Sequence, residues 1–201
     1  MHSIQNIAAY ILNKYEGQIT PMKLQKLLYY VHAWSLVAGK QIICSKDGFY
    51  AWKHGPVNPE VYHTYKGYKN QPITETPSYE PLNKYEQELA DFILESYDAY
   101  NAVTLSKTTH IEDPWIKNKD TGGFISDDEM TSFYQNESFA KNFPLYSGTK
   151  YYPPKTISHY AYVFDMEKGD AAAEVEFDSI EEYKKLLVET QSIYNKLLQI
   201  S

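Results

Sequence analysis

The chain has 201 residues, a formal net charge of −7 and a single cysteine, Cys44. This length predicts one domain with a sizeable core, or a core domain with a small appendage, rather than two large domains. One cysteine excludes an intramolecular disulfide and a multi-cysteine zinc site. No apolar run is long enough to span a bilayer and the amino-terminal residues are not those of a secretion signal, so we expect a cytoplasmic protein with no membrane partner.

The charge is unevenly distributed along the chain. Residues 1–70 carry eight lysines against three acidic residues, a net +5, whereas residues 71–201 carry eleven lysines against twenty-three acidic residues, a net −12. All nineteen basic residues are lysine. Because arginine is the usual bidentate reader of guanine and phosphate, this composition disfavours sequence-specific DNA binding.

Two helices are predicted at the start of the chain. The first is indicated by an apolar stripe that runs from Ile4 to Tyr15 and stops before Gly17. The second begins at Thr20, with Pro21 in the first helical position, and ends at Gly39. Its apolar stripe contains Leu24, Leu27, Leu28, Val31 and Ala38. Off that stripe lie Lys23, Lys26, Tyr30 and His32, a basic and aromatic flank that either contacts a partner or is covered by the rest of the domain.

The segment after the second helix predicts a short, partly extended insert. Ile42–Cys44 and Phe49–Trp52 read as two extended pieces joined by a turn at Asp47-Gly48. A third helix should begin at Asn58-Pro59 and end near Gly67. A loop over residues 71–81 follows.

Capping patterns predict the next helices. Asn83 with Glu86 starts a helix that runs to about Tyr100, and Ser126 with Glu129 starts one that continues toward Asn136. Between them, a short helix over residues 102–110 leads into Pro114-Trp115. This pair of short segments also invites a helix-turn-helix interpretation, although its basic residue is Lys107 and its surroundings are acidic.

The carboxy-terminal part has a different pattern. Residues 157–166 and 173–177 alternate between apolar and polar side chains, which predicts a β-hairpin. Ser179 with Glu182 caps a last helix with a broad apolar face. The predicted fold class is therefore mainly α. A compact helical domain over residues 1–147 carries the extended insert after its second helix, and a hairpin–helix extension over residues 148–201 packs on it.

Three separated motifs carry a resemblance to a known family. They are Leu24–Tyr30 (LQKLLYY), Ala51–Val57 (AWKHGPV) followed by Val61-Tyr62, and Thr109-His110 with Pro114-Trp115. In this order they resemble the SocA-like antitoxins, also called the Panacea family and related to phage-associated GepA proteins, over roughly residues 1–140. The resemblance implies a mostly helical, non-enzymatic antitoxin that binds a co-encoded protein toxin, and one family member also delivers its toxin to a protease. It implies no catalytic residue.

The partner-binding site is predicted on the second helix and on the turn that follows it. The candidates are Lys23, Lys26, Tyr30, Lys53, His54 and Asn58, supported from beneath by Leu24, Leu27, Leu28 and Trp52. The other motif residues, Gly55, Pro56, Thr109, His110, Pro114 and Trp115, have a predicted structural role. The alternative is that the acidic segment after Gly148 selects the partner.

Other chemistries find little support in the sequence. The six histidines are dispersed and no phosphate-binding loop is present, so we expect no metal and no cofactor. A DNA-binding regulator and a hydrolase remain as competing functions. The hydrolase would use Cys44 or a serine with His54 or His110 and Asp113, but no nucleophile motif accompanies these residues.

Overall fold

The computed structural model describes residues 1–157 and 175–198. Its α-helices are α1 Ile4–Tyr15, α2 Pro21–Val37, α3 Pro59–Tyr65, α4 Lys84–Tyr97, α5 Ala102–Thr109, α6 Asp113–Ile116, α7 Asp127–Tyr134 and α8 Ile180–Leu198. A small antiparallel sheet has the order β2–β1–β3 and is formed by β1 Phe49–Trp52, β2 Gly55–Val57 and β3 Phe124–Ile125. The mainly α fold predicted from the sequence is confirmed.

Helix α2 is the centre of the fold. It begins where predicted, because the Thr20 hydroxyl accepts a hydrogen bond from the Lys23 amide (3.3 Å) and Pro21 occupies the first turn. Every residue from Leu24 to Ser35 is buried, since α1, α3, α4, α5, α7 and β2 all pack around the helix. Of the two alternatives for the flank, Lys26, Tyr30 and His32 are therefore covered by the rest of the domain. Amphipathic patterning describes a helix with one free side, and α2 has none over these twelve residues.

The predicted helix starts are confirmed by their capping contacts. The Asn83 side chain accepts from the Glu86 amide (3.0 Å) while the Glu86 carboxylate accepts from the Asn83 amide (3.2 Å). Ser126 and Glu129 form the same reciprocal pair at the start of α7. These pairs satisfy amides that have no partner inside the helix, which is why they could be recognised from spacing alone.

The hairpin after α2 lies six residues later than predicted. The strands β1 and β2 are joined by a two-residue loop, Lys53-His54, with Trp52 opposite Gly55. Ile42 and Cys44 instead pair with His2, whose amide donates to Ile42 (2.7 Å) and whose carbonyl accepts from Cys44 (3.0 Å). The Asp-Gly signal was misleading because Asp47 belongs to a 3₁₀ turn, Ser45–Asp47, and accepts a hydrogen bond from the Ile4 amide (3.0 Å).

The described part of the carboxy-terminal extension contacts the helical core. The predicted β-hairpin falls mainly on residues 158–174, which lie outside the described residues, although Tyr151 pairs with Phe177 through two backbone hydrogen bonds. Helix α8 begins as predicted, with the Ser179 hydroxyl accepting from the Glu182 amide (3.2 Å). Tyr183 is buried with its hydroxyl against that of Tyr100. The division into two units at residue 147 stays a prediction.

Candidate partner-binding site

Lys26 lies at the bottom of the candidate site rather than on its surface. It is 1% exposed, and its ammonium donates a hydrogen bond to the Pro56 carbonyl (2.8 Å), which ties α2 to β2. Gly55 has a φ of +96°, and a Cβ there would lie 2.5 Å from both Lys26 Nζ and Thr109 Oγ1. Glycine is therefore required at this position by both backbone and space. Burial lowers the pKa of Lys26 to about 7, against the opposing attraction of Glu112.

Tyr30 is also in the core, where it contacts the buried Glu112 carboxylate. Its hydroxyl donates to Glu112 Oε1 (3.1 Å), while Tyr134 donates to Oε2 (2.7 Å). The Tyr30 ring stacks on Tyr97 with 4.1 Å between centroids. Burial raises the pKa of Glu112 to about 7, and the two tyrosine hydrogen bonds oppose that rise. This cluster joins α2, α4, α7 and the α5–α6 connection.

Two more of the predicted contact residues have structural partners. Asn58 is buried and caps α3, accepting from the Val61 amide (3.0 Å) and donating to the carbonyls of Asp47 and Gly48 (both 2.9 Å). Lys23 is partly exposed, but its ammonium donates to the Asp98 carbonyl at the end of α4 (2.9 Å). Lys26, Tyr30 and Asn58 are thus corrected from surface contacts to buried supports. Leu24, Leu27 and Leu28 are buried, as predicted for supports.

Lys53 and His54 are the two nominated contact residues that are exposed, at the tip of the β1–β2 hairpin. The loop is held from both ends. Ser106 Oγ donates to the His54 carbonyl (2.8 Å), and Trp115 Nε1 donates to the Trp52 carbonyl (2.9 Å). The second and third sequence motifs therefore meet here through direct hydrogen bonds.

The loop is flanked by aromatic side chains. The His110 and Trp115 rings lie 4.1 Å apart, and burial together with the charge of Lys26 lowers the pKa of His110. Trp52 and Tyr62 meet edge to face at 5.0 Å, and Lys119 Nζ lies 5.6 Å from the Trp115 ring centroid. We call this region the Trp52–Trp115 surface. Its members are Trp52, Lys53, His54, Tyr62, Trp115 and Lys119.

Aromatic side chains surrounded by charged groups are typical of protein–protein hot spots. The sequence nominated Lys53 and His54 as contacts, Trp52 as a support beneath them and Trp115 as a structural residue, but it did not nominate Tyr62, Lys119 or the buried Glu112. Tyr62 belongs to the Val61-Tyr62 pair that follows the second motif, and Glu112 lies between Thr109-His110 and Pro114-Trp115, so their positions were a usable signal. Lys119 has no such signal, because the turn that brings it over Trp115 depends on the tertiary fold.

The competing chemistries gain no geometric support. In the helix-turn-helix interpretation the recognition helix would carry Lys107, which lies on α5; that helix packs against α2 and β2 and buries Leu105, Ser106, Thr108 and Thr109. Asp113, the acid of the hydrolase interpretation, forms its ion pair with Lys117 (3.3 Å). Among residues 1–157 and 175–198, no group of three or more His, Cys, Asp or Glu side chains could hold a metal ion. No helix in that part of the chain has the length and apolarity to cross a membrane.

Comparison with known proteins gives a family match. Residues 24–116 match the family model described as antitoxin SocA-like, Panacea domain. The matched range starts at Leu24 and includes Trp115, so it contains all three motifs and the whole Trp52–Trp115 surface except Lys119. No curated protein and no solved structure matches the chain.

Proposed function

We propose that the chain, whose residues 24–116 match the SocA-like antitoxin (Panacea) family model, neutralises a co-encoded protein toxin by binding it at the Trp52–Trp115 surface. The observation that supports this site is the meeting of the three motifs at one place. The first motif supplies Lys26 and Tyr30 from below, the second supplies the exposed hairpin loop, and the third supplies Trp115 beside it. A surface that is ordered before binding loses little conformational entropy when a partner docks.

The charge of this surface indicates the kind of toxin face that it fits. Lys53 and Lys119 are exposed lysines on a chain whose net charge is −7, and they flank the two tryptophans. We infer that the toxin presents acidic groups around an apolar centre. Complementary charges accelerate encounter and select among partners more than they add affinity. Delivery of the toxin to a protease stays a prediction of the family resemblance.

Co-expression with the protein encoded by the adjacent gene tests the proposal. The double variant Lys53→Ala, His54→Ala should lose growth rescue and bind the toxin at least about tenfold more weakly, a loss of about 1.4 kcal/mol. Lys84→Ala, which removes a lysine that is 90% exposed at the start of α4, is the matched control and should rescue like the wild type. Antitoxin levels must be equal by immunoblot, since a degraded antitoxin also fails to rescue.

Two outcomes would contradict the proposed surface. One is full rescue by the double variant at equal protein level. The other is a loss of rescue that follows only from changes after Gly148, which would place partner selection in the carboxy-terminal extension. A failure of every adjacent-gene product to arrest growth would instead contradict the toxin–antitoxin function itself.

A further inference from the structure

A second feature of the molecule is a cavity of about 110 Å³ beside Glu112. Its walls combine four aromatic side chains with two carboxylates, from Trp34, Tyr97, Phe133, Tyr134, Glu112 and Glu137. Since about 10–15 Å³ of such space holds one water molecule, the cavity has room for a ligand of several heavy atoms. None of these six residues belongs to the Trp52–Trp115 surface.

The two carboxylates leave acceptor capacity inside the cavity. Each Glu112 oxygen accepts one tyrosine hydroxyl, and a carboxylate oxygen can accept a second hydrogen bond. Glu137 is half-buried and precedes the 3₁₀ helix Ser138–Asn142, where its side chain makes no capping hydrogen bond. The negative charge of Glu137 adds to burial in raising the pKa of Glu112. The charge of Lys26 opposes that rise, and a further cation in the cavity that Glu112 and Glu137 both line would offset their repulsion.

We propose that this cavity binds a primary alkylammonium group, with Glu112 and Glu137 accepting its N–H hydrogen bonds and the aromatic rings contacting its charge and its alkyl chain. Aromatic faces attract organic cations, and desolvation strengthens that attraction. A metal ion fits the walls less well, because aromatic carbons supply no ligands and two carboxylates alone leave most of its coordination positions unfilled.

Within residues 1–157 and 175–198, a lysine competes for the cavity. Lys155 is exposed and lines the same space, on the segment whose Ile157 amide donates to Thr108 Oγ1 (3.3 Å). The positive charge of its side chain opposes a free cation in the same space. Removal of Lys155 should thus strengthen binding of an amine several-fold without being necessary for it.

Titration of the isotope-labelled full chain with propylammonium chloride at about pH 8, where Glu112 is charged, followed by ¹H–¹⁵N NMR, tests the proposal. Saturable shifts should appear for amides of residues around the cavity, such as Thr108, Glu112 and Tyr134. Propan-1-ol has nearly the same shape without the charge and should give no saturable shift, and sodium chloride at the same concentration corrects for ionic strength. Tetramethylammonium, which has no N–H, should bind at least tenfold more weakly.

Variants distinguish amine binding at this cavity from general effects of salt or of altered folding. Glu137→Gln should weaken propylammonium binding at least tenfold while the melting temperature stays close to that of the wild type. Glu181→Gln, an exposed acid on α8, is the matched control and should bind like the wild type. The proposal is overturned if no saturable shift is seen, if propan-1-ol or tetramethylammonium binds as tightly, or if Glu137→Gln binds unchanged. It is also overturned if binding appears only after Lys155→Ala, since Lys155 would then be the natural occupant.

Discussion

Two regions of the molecule each contain a lysine and a residue with an aromatic ring, but one region is buried and the other is exposed. In α2, Lys26 and Tyr30 are buried at 1% and 0% exposure, whereas in the β1–β2 loop Lys53 and His54 face solvent. A lysine beside an aromatic residue therefore does not identify a surface in this chain. What separates the two regions is the number of elements packed around each, because α2 is enclosed by helices and the loop is the end of a two-stranded hairpin.

The buried region and the exposed loop are joined through Gly55-Pro56. Lys26 holds the Pro56 carbonyl from one side, and Ser106 holds the His54 carbonyl from the other. The polar core thus fixes the position of the loop, while the loop supplies the groups available to a partner. Changes in the core should alter stability first, and changes in the loop should alter binding first.

The largest effect is expected from Tyr30→Ala. The variant removes a fully buried ring that stacks on Tyr97 and leaves Glu112 Oε1 without its hydroxyl donor. Loss of a large buried aromatic side chain costs about 3–5 kcal/mol. Urea unfolding should show this loss, whereas Lys53→Ala, a change in the exposed loop, should stay within about 0.5 kcal/mol of the wild type.

Tyr30→Phe sharpens the same experiment. It keeps the stacked ring and removes only the hydrogen bond to Glu112, so the loss should be smaller, about 1.5–3 kcal/mol at a pH above 7, where the carboxyl is charged. A Tyr30→Ala protein as stable as the wild type would mean that Tyr30 is not enclosed as described, and the contrast between the two regions would fail.

The second prediction is that the free energy of unfolding depends on pH because of Glu112, a residue of the core. The folded chain keeps the Glu112 proton up to a pKa of about 7, whereas the ordinary value is 4.5, so the folded state binds more protons between these values. The free energy of unfolding should therefore fall as pH rises through this window, by on the order of 3 kcal/mol. Glu112→Gln cannot titrate and should lack that fall.

Lys26 should make the free energy of unfolding depend on pH in the opposite direction, in the range above pH 7. Its folded pKa of about 7 lies below the ordinary 10.5, so the unfolded state binds more protons above pH 7 and stability should rise with pH there. Lys26→Met should remove this rise. Unfolding curves measured at half-unit pH steps decide both claims. Parallel profiles for the wild type and the Glu112→Gln variant would show that the carboxyl is not buried in the way described.

A smaller effect is expected where the two regions meet, from Gly55→Ala. Alanine at a φ of +96° is strained by about 1–3 kcal/mol, and its Cβ would also displace Lys26 Nζ and Thr109 Oγ1. Gly39→Ala is the matched control, since Gly39 has a φ of +69° and a Cβ added there would have nothing within 4 Å. Gly55→Ala should therefore be the less stable of the two, and equal denaturation midpoints would exclude a steric role for Lys26.

The sequence predicted the helices well because their starts depend on local chemistry. Thr20-Pro21, Asn58-Pro59 and the two capping boxes each satisfy amides within four residues, so no knowledge of the tertiary fold was needed. The mainly α class followed from the same signals.

The hairpin and the candidate site were harder to predict, because both depend on distant contacts. The Lys53-His54 loop lacks the Asn-Gly or Asp-Gly pair that usually marks a two-residue turn, and its position is fixed by Ser106 and Trp115 instead. Burial of Lys26 and Tyr30 could not be read from helical spacing, since it requires Glu112, more than eighty residues away. Such buried polar groups are where pattern-based predictions commonly fail.

The smallest effect on stability, and the sharpest test of the link between the regions, is expected from Trp115→Phe. The variant keeps an aromatic ring beside His110 but loses the Nε1 hydrogen bond to the Trp52 carbonyl (2.9 Å), which should cost about 0.5–1.5 kcal/mol. Because that bond holds one end of the exposed loop, toxin affinity should fall by more than this loss of stability alone would produce. Tyr85→Phe, an exposed aromatic change on α4, should alter neither quantity. Calorimetric titration with the purified toxin and urea unfolding, made on the same samples, compare the two losses directly. If Trp115→Phe lowers stability as expected but binds the toxin like the wild type, then the loop does not depend on this anchor for its contacts, and the core and the surface are independent.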